Sequence, residues 1–416
     1  MNRRTFFKTS AAAGMLGAAA RPAFAQSGKS AFIMELERAA AEPVLRRELF
    51  PDPVIIESLE LLKNGDYYFV RIRSKDGDEG VIMAHNNHIR YLYPVLLHRV
   101  FPFFIGKDAR DLDALIDGVY RYRSNYKWQA LPLWVCVAST EFAILELLGR
   151  RIGKPVGHLL GDIVRREIGV YRANNFRDRD AVTSAKLIKQ RADAGHFKAI
   201  KFKVGGRMSN NADSLPGRSK QLIPLIRETL GDDMVIYADS NGSYDAEKGI
   251  EMGKMMQDND IAFFEEPCPF DHLEETRKVA DALDIPVAGG EQESSMRNFR
   301  WMVENNAVQV VQPDLFYFGG FVRCTRVARM AQLTDIPCIL HVSGSGYGYF
   351  SMLHFASYIP NMGPYQEFKG VDRNVPFTCP TSDFELRNGL VRIPSGPGWG
   401  IHLDPDFIKR SEIVKG

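Results

Sequence analysis

Between residues 168 and 368, short apolar runs rich in β-branched and aromatic residues alternate with longer charged, amphipathic stretches. The runs are EIGVYRANN, KAIKFKVGG, DMVIYADSNG, DIAFFEEP, IPVAGGEQE, AVQVVQPD, IPCILHVSG and GPYQEF. Near-continuous apolar strands separated by helices imply a parallel sheet covered on both faces, and eight such units are the number that closes a (β/α)8 TIM barrel. Ahead of this region the texture differs. VIIESLELL and DYYFVRIRS read as two strands, with KDGDEG as a hairpin turn after the second. VCVASTEFAILELLGRRIG repeats apolar residues at three and four and stops at Gly153 with KP behind it, a helix end. The pattern predicts an N-terminal extension over 26–52, an α+β unit over 53–160 and a barrel over 161–370. Residues 371–416, rich in Pro and Gly, return to the first unit.

The run KAIKFKVGG places Lys201 and Lys203 on one face of a strand and Ile200, Phe202 and Val204 on the other, because successive side chains alternate across the pleat. Two sheltered ammonium groups held that close push at least one lysine toward its neutral, basic form. Taken alone, the same run also fits an edge strand with lysines on its solvent face.

The ends of the later strands decide between these readings. They carry Lys201 and Lys203, Asp239, Glu265, Glu291, Asp314, His341 and Glu367, separated from Lys203 onward by 36, 26, 26, 23, 27 and 26 residues. Each step is one βα unit, the first lengthened by the loop-like insertion GGRMSNNADSLPGRS. Carboxyl ends of successive barrel strands converge on one face, where the chemistry of such folds sits. Asp239, Glu265 and Glu291, on three adjacent strands, form a cluster that requires a compensating cation. All-oxygen donors suit Mg²⁺ and disfavour zinc. Pattern leaves open whether Glu265 or Glu266 turns inward, and Glu265 is the choice. Asp314 and His341, from neighbouring strands, are close enough for a dyad in which the aspartate orients the imidazole. SGSGYGYF lacks phosphate-loop spacing and reads as a close-approach loop.

The order KFK, DSN, EEP, GGE, PD followed by GG, then H-x-S and Y-x-E-F resembles the mandelate racemase branch of the enolase superfamily over nearly the whole chain after residue 25. That resemblance implies a Lys or His base with Mg²⁺ stabilising an ene-diolate, under an α+β capping domain that selects a small-molecule carboxylate substrate. It implies Lys203 as base, Lys201 facing the substrate carboxylate, and His341 with Asp314 as the opposing acid. Glu367 would hydrogen-bond the substrate carboxylate, and Asn241 would support the metal ligands. Dehydration of an acid sugar to a 2-keto-3-deoxy acid is the expected reaction; racemisation or epimerisation, cycloisomerisation, and sugar-acid binding without turnover are the alternatives. MAHNNHIRY in the capping region offers polar groups suited to a polyol. Asn241 stands where some dehydratases of this branch have histidine, so no leaving-group acid is available there. Kinship also implies a homo-oligomer, a dimer or octamer.

Residues 1–25 change the compartment. Paired arginines in NRRTFFK, a short apolar run and AFA ending at Ala25 look like a twin-arginine export signal, which implies a periplasmic protein. The apolar run is about ten residues, against about 20 for a membrane span. Removing Arg3, Arg4, Lys8 and Arg21 leaves 49 basic against 51 acidic side chains, without the basic surplus of a nucleic-acid binder. Five cysteines without metal-type spacing indicate neither a disulfide framework nor zinc.

Overall fold

The computed structural model describes residues 26–344, 348–387 and 389–416. The twin-arginine motif and cleavage site lie in residues 1–25, outside the described residues, as do residues 345–347 of the SGSGYGYF loop. Helix α1 (Gln26–Ala41) lies along the barrel flank, where Arg329 Nη1 donates to Glu42 O just beyond it at 2.6 Å and Arg300 pairs with its Glu37.

Strands β1 (Ile56–Asn64), β2 (Tyr67–Ser74) and β3 (Glu79–Met83) form an antiparallel meander, joined at the β1 edge by the last strand of the chain, Glu412–Ile413. Helix α2 (Leu131–Ile152) packs on this sheet. It ends at Gly153, whose φ of 65° is a left-handed conformation that glycine adopts without a Cβ clash. By length and composition α2 could cross a bilayer, but 89% of its apolar window is buried in the protein.

The barrel comprises β4 (Glu167–Ala173), β5 (Ala199–Lys203), β6 (Val235–Asp239), β7 (Phe263–Glu265), β8 (Val287–Gly289), β9 (Val310–Val311) and β10 (Tyr365–Phe368). These strands are parallel in the order β10-β4-β5-β6-β7-β8-β9. The remaining arc is closed by IPCILHVSG, which makes isolated parallel bridges rather than a full strand: Val311 to Cys338, Asp314 to His341, and Cys338 to Met362. A glutamine explains part of the difference. Buried Gln366 offers Oε1 to Leu340 N at 2.9 Å, taking a ladder donor that backbone would otherwise satisfy. Gln309 does the same for Val287 N at 3.0 Å.

The alternation read from β5 holds. Ile200 and Phe202 join the large core between strands and helices, while Ala199 belongs to a separate cluster inside the barrel with Tyr171, Tyr237, Phe263, Ala288, Val310 and Ile339. Tyr237 and Phe263 stack at 3.9 Å, flooring the cavity under the ionisable rim. The five cysteines are free thiols.

Helix α2 also ties the first unit to the C-terminal segment and to the barrel. Trp399 N donates to Glu146 Oε2 at 2.8 Å, and Trp399 Nε1 donates to Phe142 O at 3.2 Å. Glu141 Oε1 accepts from Val322 N, at 3.0 Å, in the first turn of helix α3 (Phe321–Gln332). A helix N-terminus favours the anion, yet burial wins and pushes Glu141 up to about 8 from the ordinary 4.5. The folded state therefore holds a proton that the unfolded chain has lost between pH 4.5 and 8, so stability is fully present below 4.5 and falls as pH rises through 8. Glu141→Gln mimics the protonated acid. Thermal melts should show it close to the parent at pH 5 and more stable at pH 9, by on the order of 1–3 kcal/mol; equal melting at pH 9 would show that Glu141 carries no such linkage.

Candidate active site

In-register pairing assembles the rim. Lys203 lies opposite Asp239, and Asp239 opposite Glu265, across β5, β6 and β7. Glu291 follows β8 after Gly290, whose φ of 113° turns the chain at the strand end. Ligand oxygens of Asp239, Glu265 and Glu291 lie within 4.8 Å of one another, and all three residues are buried.

Ammonium groups face this cluster from below and beside it. Lys201, 1% exposed, donates to both oxygens of Glu265 at 2.6 and 2.8 Å and reaches Glu367 Oε1 at 3.1 Å. Burial alone would deprotonate Lys201, but the charges of Glu265 and Glu367 outweigh it and hold the lysine well above its ordinary range. Mutual repulsion with Lys203 therefore does not neutralise Lys201. Glu265 and Glu367 share its ammonium. Lys203 Nζ pairs with Asp239 and lies 3.1 Å from Asn241 Oδ1. Burial pushes the Asp239 carboxyl up, but Lys203, Lys201 and Arg177 together hold it below its ordinary value.

Asn241 joins both kinds of charge. Its carbonyl oxygen meets Lys203, Arg177 Nη1 at 2.9 Å and Arg207 Nη2 at 3.3 Å. Its amide nitrogen donates to Asp239 Oδ2 and Glu266 Oε2 at 3.3 Å and to Glu291 Oε1 at 3.4 Å. Holding φ at 45°, in the left-handed region that Asn tolerates better than most residues, makes this reach possible.

Opposite the lysines, His341 Nδ1 lies 2.7 Å from Asp314 Oδ2. Asp314 Oδ1 accepts from Phe316 N, Tyr317 N and Ser343 Oγ at 2.8, 2.9 and 2.9 Å. Burial raises the Asp314 carboxyl, and these donors with His341 bring it below its ordinary value. His341 Nε2 is left facing the cluster, 3.7 Å from Glu291 Oε2 and 3.8 Å from Glu367 Oε2. Glu367 is held well below the usual carboxylate range: burial opposes ionisation, and Lys201, Lys369, His341 and the Val342 N–H prevail. An ionised Glu367 is an acceptor and cannot donate to a substrate carboxylate, so its visible work is to hold Lys201 and Val342 N, the latter at 2.8 Å.

Several groups escape the pattern reading. Glu266 is 6% exposed, its Oε1 has no partner, and burial with the Glu291 charge drives it well above the ordinary range, toward the neutral acid. Strand alternation sends it away from Glu265, but its φ of 43° brings it back to Asn241. Gln312 Nε2 donates to Glu265 Oε2 at 2.8 Å, and its place two residues before Asp314 was a usable signal. From the first unit, the His85 and His88 rings pack with centroids 4.5 Å apart, tilted by 33°, and His88 Nε2 lies 3.4 Å from Tyr317 OH. These two histidines belong to MAHNNHIRY and carry that stretch into the site. A cleft of about 1060 Å³ opens elsewhere, near the start of β4 beside Arg165 and Arg392, and holds none of the acid–base groups. Chemistry rather than void volume locates the site.

The donor set fits a hard divalent cation: three convergent carboxylates, no nitrogen or sulfur donor among them, and a buried Glu291 Oε2 without a hydrogen-bond partner.

Comparison with known proteins agrees with this geometry. The family described as enolase C-terminal domain-like matches residues 183–407. The arabinonate dehydratase of Saccharolobus solfataricus is 26% identical over 305 residues, 72% of this chain and 78% of that enzyme. The D-galactarolactone cycloisomerase of Agrobacterium fabrum is 28% identical over 317 residues, 74% and 81% of the two chains. The crystal structure of a mandelate racemase/muconate lactonizing protein from Paracoccus denitrificans PD1222, complexed with magnesium, superposes with a TM-score of 0.75 at 25% identity, covering 87% of this chain and 99% of that one. With a parallel barrel whose strand ends gather three carboxylates between a lysine pair and a His–Asp dyad, the chain belongs to the enolase superfamily, among its mandelate racemase and muconate lactonizing enzyme-like members.

Proposed function

We propose that this protein removes the proton next to the carboxylate of an acid sugar, with Mg²⁺ held by Asp239, Glu265 and Glu291, and dehydrates that acid to a 2-keto-3-deoxy acid. The observation that carries the reading is the placement of two proton-transfer groups on opposite sides of one carboxylate cluster: Lys203 on the Asp239 side and His341 on the Glu291 side. The names of the two relatives, a sugar-acid dehydratase and a sugar-lactone cycloisomerase, support the substrate class.

A carbon acid next to a carboxylate is very weak, and a divalent cation against the carboxylate oxygens supplies stabilisation of the charge that develops there. The chain's own residues do the rest. Lys203 Nζ takes the proton from C2, while Lys201 remains protonated between Glu265 and Glu367 and fixes both. His341 Nε2 delivers a proton to the departing 3-hydroxyl, and Asp314 keeps Nδ1–H in place so that Nε2 alone faces the reacting carbon chain. The same geometry with the proton returned to C2 from the His341 side gives epimerisation, the second reading. Residues 1–25 read as a twin-arginine leader, which supports a periplasmic location.

A library of sugar acids with Mg²⁺, assayed for 2-keto acid and for C2 deuterium uptake from D₂O, tests the reaction. At least one acid should yield product. Lys203→Ala should lower exchange from one C2 stereoisomer by roughly 10²–10⁴-fold, and undiminished exchange would remove Lys203 as base. Isothermal titration tests the metal. Glu291→Gln should weaken Mg²⁺ binding by about 100-fold or more, since even residues behind metal ligands contribute 10–100-fold; unchanged affinity would place the cation elsewhere. For export, replacing Arg3 and Arg4 with lysine should retain the protein in the cytoplasm, and fractionation showing normal periplasmic protein would refute the leader.

A further inference from the structure

Lys369 stands two residues beyond Glu367 at the barrel mouth, its side chain 40% exposed. Its ammonium lies 3.2 Å from His341 Nε2, the ring nitrogen not committed to Asp314. Any substrate group served by His341 needs that same position, so lysine and substrate cannot both hold it. The lysine's other contacts are Val342 O at 2.7 Å, which is neutral, and Glu367 Oε2 at 3.2 Å. Glu367 keeps partners without it, because Val342 N serves Oε2 and Lys201 serves Oε1. Two other rim cations are committed, while Arg207 meets Asn241 Oδ1 at 3.3 Å. Arg177 donates to the carbonyls of Val204, Gly205 and Asp239 and to Asn241, and Lys201 is shared between two carboxylates. Lys369 is therefore a cation that must move when the site fills, on a tether that keeps it at the mouth, and among the described residues Glu367 is the one carboxylate it pairs with.

We infer that Lys369 swings from His341 to an anionic group at the end of the substrate remote from the metal-binding carboxylates, and that the preferred substrate is a sugar diacid rather than a sugar monoacid. A distal carboxylate supplies the counter-charge that the displaced ammonium lacks, and a charge-assisted pair is worth more than a hydroxyl contact at the same place. A distal phosphate ester offers the same chemistry from a different source. The inference rests on the acid-sugar reading above and adds the charge of the outer end.

The test compares kcat/KM for an aldonate, the corresponding aldarate and the corresponding terminally phosphorylated aldonate in the parent, Lys369→Met and Lys369→Arg, all with Mg²⁺. Ligand-induced shifts in Tm, which need no turnover, are read on the same panel. The parent should prefer the aldarate over the aldonate by about 30-fold, the size of one charged hydrogen bond. Lys369→Met should reduce that ratio to within about 3-fold, and Lys369→Arg, which keeps the charge, should restore most of it. Preference for the phosphorylated acid, lost in Lys369→Met, would support the contact and assign it to phosphate. A ratio that Lys369→Met leaves unchanged, or a parent that prefers the aldonate, would overturn the inference while the dehydratase reading stands. Absence of turnover and C2 exchange on every acid would instead sink that reading, with the Tm shifts still reporting on Lys369. Should Lys369→Met fail to fold, parent and Lys369→Arg decide by the sign of the diacid preference.

Discussion

Six carboxylates meet at one end of the barrel, buried, and the rest of the structure answers the charge they bring. Asp239, Glu265, Glu266, Glu291, Asp314 and Glu367 are each no more than 6% exposed. At that depth an unpaired carboxylate is prohibitive, and the available answers are a cation, a hydrogen-bond cage or a proton. All three occur here. Lys201 and Lys203 serve Glu265, Glu367 and Asp239; backbone N–H groups, Ser343 and His341 cage Asp314; and Glu266, which receives only one long hydrogen bond from Asn241, is driven toward the neutral acid. The protein's own lysines cover only part of the three-carboxylate cluster, leaving Glu291 Oε2 without a hydrogen-bond partner on the side where a further cation would fit.

Such a rim demands a rigid support, because Coulomb terms at low dielectric change steeply over an ångström. Support comes from parallel pairing that fixes neighbouring ionisable groups in register, from the aromatic floor of Tyr171, Tyr237 and Phe263, and from Gln309 and Gln366, whose amides occupy ladder positions in the short strands. Short strands are what a mouth full of loops requires. The side-chain amides keep the buried backbone satisfied where strand pairing stops.

Much of this was legible in the sequence because two periodicities coincide: alternation along a strand and one ionisable residue per βα unit. Together they give the barrel and bring Lys201, Lys203, Asp239, Glu265, Glu291, Asp314, His341 and Glu367 to one rim. What they cannot give is anything set by backbone irregularity or by competition among partners. Glu266 returns to the site through a left-handed residue that breaks alternation. IPCILHVSG has strand composition but is held by bridges, because on one side Leu340 N goes to the Gln366 side chain and Val342 N to that of Glu367 rather than to backbone. The surroundings of Lys201 were not legible for a different reason. Alternation shows two lysines on one face but not what lies between them, and β7 and β10 insert Glu265 and Glu367.

That insertion divides the labour between two residues of identical chemistry. Lys201, one pleat lower, is enclosed by carboxylates that need its charge, so releasing its proton would leave Glu265 and Glu367 uncompensated. Lys203, at the strand end, shares its single carboxylate with the metal-binding cluster and makes its second contact with a neutral amide oxygen. Glu367 lies outside the three-carboxylate cluster, so its dependence on Lys201 persists whatever the cluster binds. The K-x-K spacing thus places one lysine between two carboxylates and the other at the rim against Asp239, and the difference arises from depth in the barrel rather than from the lysines themselves.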